Sequence, residues 1–411
     1  MKKLLTKRSL LIALSVLFLF IAWNREINLL YGMFALLAST LILSHLLPRL
    51  SLRGVTADRS LQTTAFEGDE INVHIRVQNQ SWTSRHMVEV VDTIPAAEPG
   101  HQNPITFIAR LQGRKEKRYD LKIPCYKRGE YQIGPLSLRS AYPLGIAPLT
   151  KSISEDRPTL LIYPQVFNVA HLPLMARGSM PITGMEAVSK SGGSEEFFGI
   201  REYREGDSLR YIHWPSTAKH SRLIVKEFEI RASTEVTILV DLQKGSEIGV
   251  GKETTLEYAV KIAASIATYV LERGHTLQFI GFGEQTHLIP YARGFHQLAR
   301  ILETLARVKA DGAHPFHRTI SQAADLLKDG GTVALLFSPS SREVEQYHYS
   351  LSLLRAKRIR PIFILIDRES FLDRKISGSP RTNPWIEEIM SEGSPVYTIS
   401  KGDDLPGVFA E

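Results

Sequence analysis

A single cysteine, Cys125, stands in 411 residues. That excludes an internal disulfide and any metal site built on several thiolates, and it suits a reducing compartment. The motifs of familiar catalysis are missing as well. There is no G-x-S-x-G elbow, no H-E-x-x-H pair and no G-x-G-x-x-G turn. Gly251-Lys252 lies between a strand-like and a helix-like stretch, yet a P-loop fails there twice. Its first glycine would fall at Ser246, and Glu253 stands where a magnesium-binding hydroxyl is needed. His314 and His317 flank Pro315-Phe316 with no third ligand nearby, the pattern of ordinary loop residues rather than of a metal site. No two carboxylates stand out as general acid and base, and nothing calls for a cofactor. A global positive field is lacking too. The chain carries +7, but residues 1–59 hold eight basic and two acidic residues, while the other 352 hold 42 and 41. That distribution does not attract DNA or RNA, so no nucleic-acid partner is expected.

What is present begins with two long apolar runs. Residues 9–24 and 27–48 contain no Lys, Arg, Asp or Glu. A helix needs about 20 apolar residues to cross a bilayer. The second run meets that length, and Lys7 and Arg8 can snorkel to extend the first. The first run alone also fits a signal peptide, but no small-x-small cleavage site stands near Ile21-Ala22-Trp23, and a second run follows within three residues. Residues 1–50 are therefore expected to form a transmembrane hairpin turned at Asn24-Arg25-Glu26. Lys2, Lys3, Lys7, Arg8, Arg49, Arg53 and Arg59 flank its outer ends, against Arg25 alone in the turn. The positive-inside rule then puts both termini and the soluble domains on the cytoplasmic side of the cytoplasmic membrane.

Residues 51–170 read as an antiparallel β-sandwich of immunoglobulin-like size, with a small barrel as the other possibility. Ile71, Val73, Ile75 and Val77 alternate with polar residues, and so do Ile105, Phe107, Ala109 and Leu111. Tyr119, Leu121 and Ile123 repeat the period, Tyr131, Ile133, Leu136 and Leu138 follow, and residues 160–163 close the set. The region is locally basic through Arg110, Arg114, Lys115, Lys117, Arg118, Lys122, Lys127 and Arg128. Contact with anionic lipid headgroups would use such charges; solvated strand faces and protected sheet edges are the plainer reading and the favoured one. Residues 171–194, with Gly178, Pro181, Gly184, Gly192 and Gly193 and no periodicity, are a linker.

The remainder, 195–411, ends in alternating strands and helices. Strands are expected at 236–240, 276–282, 332–337, 361–366 and 396–399, and helices at 254–273, 295–308, 342–357 and 385–390. Uniformly apolar strands between amphipathic helices imply a mainly parallel, Rossmann-like sheet covered on both faces. Ligands on such sheets sit beyond the C-terminal strand ends, where Asp241 falls.

The most informative stretch is 195–229, in which charges of both signs surround aromatics. Gly206-Asp207 can turn the chain and start a short helix to His213, with Asp207 capping it and pairing with Arg210 at i,i+3. Leu209 and Ile212 would face inward, and Trp214 would anchor the end. One reading is a polar network of Arg201, Glu202, Asp207 and Arg210 that docks the segment on the α/β domain; the other is a partner-binding surface offered by Arg204, Glu205 and His213. Composition alone weighs them equally.

The pattern formed by Glu196, Phe197, Arg201, Glu202, Tyr203, Gly206, Asp207, Arg210, Ile212 and Trp214, followed by Ala218, Lys226, Phe228 and Glu229, closely resembles the signature of the domain-of-unknown-function 58 family. The resemblance extends to the paired N-terminal runs and the Arg128-Gly129-x-Tyr131 turn. Tyr142-Pro143-Leu144-Gly145 departs from it by lacking the family's acidic residue. The resemblance implies a bacterial, membrane-anchored protein whose α/β half is similar to von Willebrand factor type A domains. Those domains hold a divalent metal through Asp-x-Ser-x-Ser. Here Asp241 keeps the aspartate, but Gln243 and Gly245 replace both serines, so no metal site is expected. The resemblance also implies partnership with MoxR-type AAA+ ATPases. The expectation is a non-enzymatic, membrane-anchored scaffold or adaptor for another protein. The alternative is an enzyme or ligand-binding protein acting on cell-envelope material.

Overall fold

Both apolar runs form helices. A computed structural model of the chain describes residues 7–154, 156–174, 195–204, 207, 209–230, 234–339, 344–372 and 393–410. In it α1 spans Lys7–Arg25 and α2 spans Asn28–Leu52, both long and apolar enough to cross a membrane. Phe20 and Leu36 point outward, while Ser15 and Ala22 of α1 and Ser44 of α2 are buried. Small side chains at such positions let two helices approach closely. The chain divides into two compact units, Met1–Tyr163 and Pro164–Glu411.

In the first unit α2 runs directly into the β domain. Leu52 and Val55 are buried in one cluster with the strand residues. The strands are β1 (Val55–Leu61), β2 (Thr64–Phe66), β3 (Glu70–Asn79), β4 (Arg85–Val91), β5 (Ile105–Leu111), β6 (Glu116–Pro124), β7 (Gly129–Gln132), β8 (Leu136–Ser140), β9 (Leu149–Ser154) and β10 (Thr159–Tyr163). They form sheets ordered β1-β3-β6, β5-β4-β8-β9 and β2-β10-β7. Ile71, Val73, Ile75 and Val77 of β3 meet Val88, Val90, Ile108 and Leu138 of the four-stranded sheet in a single core. This is the period-two burial that their alternation implies. Two details depart from the expectation. A strand, β1, precedes residue 61, its Asp58, Arg59 and Ser60 hiding the period. The closing strand β10 pairs parallel to β2 and only its other edge, against β7, is antiparallel. Residues 164–170 belong to the second unit, not to the β domain.

The second unit opens with a two-stranded antiparallel sheet, β11 (Glu195–Glu202) and β12 (Ile224–Ile230), with helix α3 (Trp214–His220) in the excursion between them. Then come β13 (Glu235–Val240), the short pair β14 (Gly249–Val250) and β15 (Glu253–Thr254), α4 (Thr255–Glu272), β16 (Thr276–Phe282), β17 (Thr286–Ala292), α5 (Phe295–Arg307), α6 (Phe316–Ala324), β18 (Thr332–Phe337), α7 (Val344–Ala356), β19 (Arg360–Ile366) and β20 (Val396–Ile399). The main sheet is ordered β17-β16-β13-β18-β19-β20. All its pairings are parallel except that of β17 with β16 at the edge.

Helices cover both faces of that sheet. Phe316 and Ile320 of α6 and Tyr347, Leu351 and Leu354 of α7 pack on Leu239, Leu335, Phe337 and Phe363. Leu256 and Ala259 of α4 lie with Leu336 and Ile366, the alternate residues that point to the opposite face. Thr254 caps α4 by accepting from the Glu257 amide. Helix α4 is buried nearly all round, because the segment after Pro164 lies along its outer side. There the Phe167 amide donates to Ser265 and the Leu172 amide to Tyr269. The expected strands at 236–240, 276–282, 332–337, 361–366 and 396–399 are present within a residue. Strand β17 and helices α3 and α6 were not anticipated, and α6 takes in His317, expected in a loop. The expected helix at 385–390 and linker residues 175–194 lie outside the described residues.

Candidate functional site

The family-like segment folds on itself before it meets anything else. Strands β11 and β12 pair Glu202 with Ile224, Arg201 with Val225 and Gly199 with Glu227, with a bulge between Phe197 and Gly199. The excursion from 203 to 223 is tied back by backbone bonds. The Tyr203 amide donates to Leu223, the His213 amide to Ile224, and the Ile224 amide to the Thr217 hydroxyl. Ile212 bridges to Val225 and, with Ile224 and Val225, is buried. This small apolar centre fixes the loop.

Asp207 closes the loop. Arg201 donates to both of its carboxylate oxygens, at 2.6 and 2.8 Å, and the Arg204 amide donates to Oδ2 at 2.8 Å. The carboxylate side chain is 6% exposed. The Arg201 bonds first, and the Arg204 amide second, hold its carboxyl at about 2, well below the usual carboxylate range. Glu202 pairs with Arg222 at an exposed edge. His213 stands at the start of α3, its Nδ1 2.7 Å from the Ser216 hydroxyl.

Three expectations are corrected here. Asp207 is bridged to Arg201, six residues back, and not to Arg210, because the chain after Asp207 makes only a short 3-10 turn, Leu209–Tyr211, in place of a helix running to His213. Leu209 is 64% exposed rather than inward. Trp214 is not a buried anchor: it begins α3, with Pro215 behind it, and is 65% exposed. Ile212 is buried as expected. Gly206 and Glu205 lie outside the described residues, as do the side chains of Glu196, Phe197, Phe228 and Glu229. The strand that the sequence leads one to expect at 223–228 is β12, which starts one residue later; what the sequence left unseen is Arg222, the partner of Glu202, and the exposure of Leu223. Pairing residues 195–202 against 224–230 as a hairpin would have put both beside Glu202 and Tyr203.

The module exposes the apolar residues Ile200, Leu209, Trp214 and Leu223 and the cations Arg204, Arg210, Lys219, Arg222 and Lys226, with Glu202, the partner of Arg222, exposed as well. The module thus presents apolar side chains in a basic setting.

The second candidate place is the end of β13. Asp241 accepts from the Gln243 amide at 2.9 Å, and its own amide donates to Leu336. Thr255 donates to the Ser246 carbonyl and Ser338 to Ile366. The cavity left between Asp241, Ser246, Thr255 and Ser338 is about 10 Å³, room for a single water at most. Among the described residues no three His, Cys, Asp or Glu side chains are grouped as a metal would need. A wider, open basin of about 650 Å³ lies beyond β16, lined by Glu284, Asp311, His314 and Asp325 among others.

Comparison with known proteins fits the hairpin's place in the chain. The family described as "Protein of unknown function DUF58" matches residues 199–334, from the second half of β11 through the start of β18. The uncharacterized protein YeaD of Bacillus subtilis is 25% identical over 280 residues, covering 65% of this chain and 66% of that one, just under two thirds of the relative's length. Among solved structures, a CARDB domain from Pyrococcus furiosus has 11% identity, covers 26% of this chain and 94% of its own, and gives a TM-score of 0.21. A β-glucosidase from Listeria innocua has 13% identity over 26% of this chain and 16% of its own, with a TM-score of 0.17. Scores of that size carry no inference about fold or activity.

Proposed function

We propose that the chain is a membrane-anchored, non-enzymatic adaptor of the domain-of-unknown-function 58 family, which binds a partner protein through the β11–α3–β12 hairpin. The observation that carries this reading is Trp214, 65% exposed at the head of α3. Residues that dominate protein interfaces are enriched in Trp, Tyr and Arg, and the module exposes Trp214 and several arginines. The Arg201–Asp207 bridge supports the same reading, since it stiffens the loop that presents Trp214 and so lowers the cost of ordering it on binding. The α/β domain is read as Rossmann-like and von Willebrand factor type A-like, a reading supported by its strand order with one antiparallel edge strand. At the position where such a domain would hold its metal, Asp241 has Gln243 and Gly245 as neighbours and a cavity too small for a hydrated ion. The β domain is immunoglobulin-like, and the helices α1 and α2 anchor the whole in the cytoplasmic membrane with the soluble units in the cytoplasm.

The partner proposed is a MoxR-type AAA+ ATPase, on the strength of the family resemblance together with the basic, apolar character of the hairpin, which suits an acidic surface with an apolar centre. The test is copurification of such an ATPase with the full-length chain from native membranes, and its loss on Trp214→Ala. The alternative, an enzyme or ligand-binding protein of the envelope, is favoured by no observation of comparable weight.

A further inference from the structure

Helix α2 has 25 residues. At 1.5 Å per residue that is about 37 Å, against roughly 30 Å of hydrocarbon. About five residues at its C-terminal end, 48–52, therefore stand in the headgroup layer if the span begins at Asn28. Two turns of the β domain are tied to that exit point. The Gln80 amide donates to the Gly54 carbonyl at 2.8 Å, two residues beyond the helix. The Arg114 amide donates to Ser81 and the Asn79 amide to Lys115. The fully buried Asn79 side chain donates to the carbonyls of Thr83 and Gln112 and so locks the turns 80–84 and 112–115 together. Gly113 is required there, since a Cβ would lie 2.0 Å from the Trp82 carbonyl oxygen.

On this lip sits Trp82, 78% exposed, with the Arg114 guanidinium 3.5 Å above its ring. Arg53, one residue beyond the helix, and Lys115, next to Arg114 in the chain, are exposed as well. Arg85 is partly buried, and among the described residues its Nε, shielded from solvent, has no hydrogen-bond partner. Burial first, and the like charge of Arg53 second, depress its pKa, so two guanidiniums lie near each other. The acid in the second turn's stretch, Glu116, is already taken up by Arg118 at 2.6 and 3.0 Å. Cations drawn together, an orphaned arginine donor and an exposed indole describe a surface completed by something anionic and interfacial. Tryptophan favours the headgroup layer, arginine forks match phosphate, and each basic residue at an anionic leaflet gains about 1 kcal/mol.

We propose that Trp82, Arg53, Arg85, Arg114 and Lys115 form a docking surface for anionic phospholipid headgroups, which holds the β domain against the bilayer that α1 and α2 cross. The proposal rests on the membrane-anchor reading and adds to it a lipid class and an orientation. It also singles out which part of the basic β domain touches lipid; the rest remains solvated strand face.

The test uses the full-length chain in a Cys125→Ser background, reconstituted in nanodiscs of phosphatidylcholine alone or mixed with phosphatidylglycerol. An environment-sensitive fluorophore is placed on Thr83→Cys, on Glu98→Cys in the loop at the opposite end of β4, and on Leu36→Cys in α2. Headgroup-nitroxide lipids should quench the 83 label in anionic discs much more than in neutral ones. The 98 label should be unaffected, and the 36 label quenched by chain-nitroxide lipids in both. High salt, Arg53→Glu with Arg114→Glu, or Trp82→Ala should each remove the gain at 83. An 83 label as open to water as the 98 label in anionic discs, with the 36 label buried, would overturn the proposal and leave the anchor intact. Quenching at 83 that is equal in neutral discs and indifferent to salt would overturn it as well. A 36 label in water would defeat the anchor reading and the proposal together.

Discussion

Arg201 grips both oxygens of Asp207, at 2.6 and 2.8 Å, across a loop of five residues. A third bond to Asp207, from the Arg204 amide, leaves the carboxylate almost out of solvent. Bidentate guanidinium–carboxylate pairs fix geometry as well as energy. Here the fixed element is the loop that leads to α3 and Trp214.

Asp207→Ala should therefore loosen the hairpin. A hydrogen bond to a charged group contributes about 1.5–3 kcal/mol, and the partner is left unpaired. Hydrogen exchange of the full-length chain should show the opening free energy of the β11–β12 amides falling by about 2 kcal/mol, with the α4 amides unchanged. Unaltered protection of the Ile224 and Val225 amides would show that the bridge does not support the hairpin.

The same bridge sets a pH dependence. The folded carboxyl of Asp207 is held at about 2, below the roughly 3.9 of an unfolded aspartate. Its contribution is thus fully present above about pH 5 and is lost as pH falls through 4 towards 2. Hairpin protection followed by hydrogen exchange should decline over that window in the wild type and be flat there in Asp207→Asn. A wild-type decline centred near neutrality would assign the dependence to another group.

Much of this architecture was legible in the sequence, and the exceptions have physical causes. The alternation at Ile71–Val77 and the apolar block at 236–240 are strong signals because burial follows the strand period directly. Strand β1 was hidden by Asp58, Arg59 and Ser60. Strand β17 carries Pro290, which an edge strand tolerates and a central one does not. In the site, the sequence suggested an Asp207–Arg210 pair by assuming a helix through both. The chain instead turns back over β11, so the partner of Asp207 was set by a hairpin register that spacing alone does not reveal. Trp214 is expected to anchor the end of that helix; with the helix reduced to a 3-10 turn it instead begins α3 and is 65% exposed.

At the end of β13 calorimetry should detect no saturable binding of Mg²⁺ or Mn²⁺ in the micromolar range, and Asp241→Ala should change nothing in the titration. Hard cations need several oxygen ligands in octahedral array, and the space beside Asp241 is about 10 Å³. A micromolar dissociation constant abolished by Asp241→Ala would contradict this.

The proposed cytoplasmic placement of the soluble units rests on the seven-to-one distribution of Lys and Arg about the two apolar runs. A cysteine introduced at Glu98, in a Cys125→Ser background, should resist membrane-impermeant maleimide in intact cells and react once the membrane is opened. Labelling in intact cells would place the soluble units outside.

The hairpin is proposed as a docking element whose anchor is Trp214. Its most direct test is the affinity of a purified MoxR-type ATPase for the full-length chain in nanodiscs, wild type against Trp214→Ala. Truncation of an interface anchor costs about 2 kcal/mol or more, so Trp214→Ala should weaken the dissociation constant at least about tenfold, with hairpin hydrogen exchange unchanged. Equal affinity in the two proteins, or no binding of the ATPase by the wild type, would contradict it.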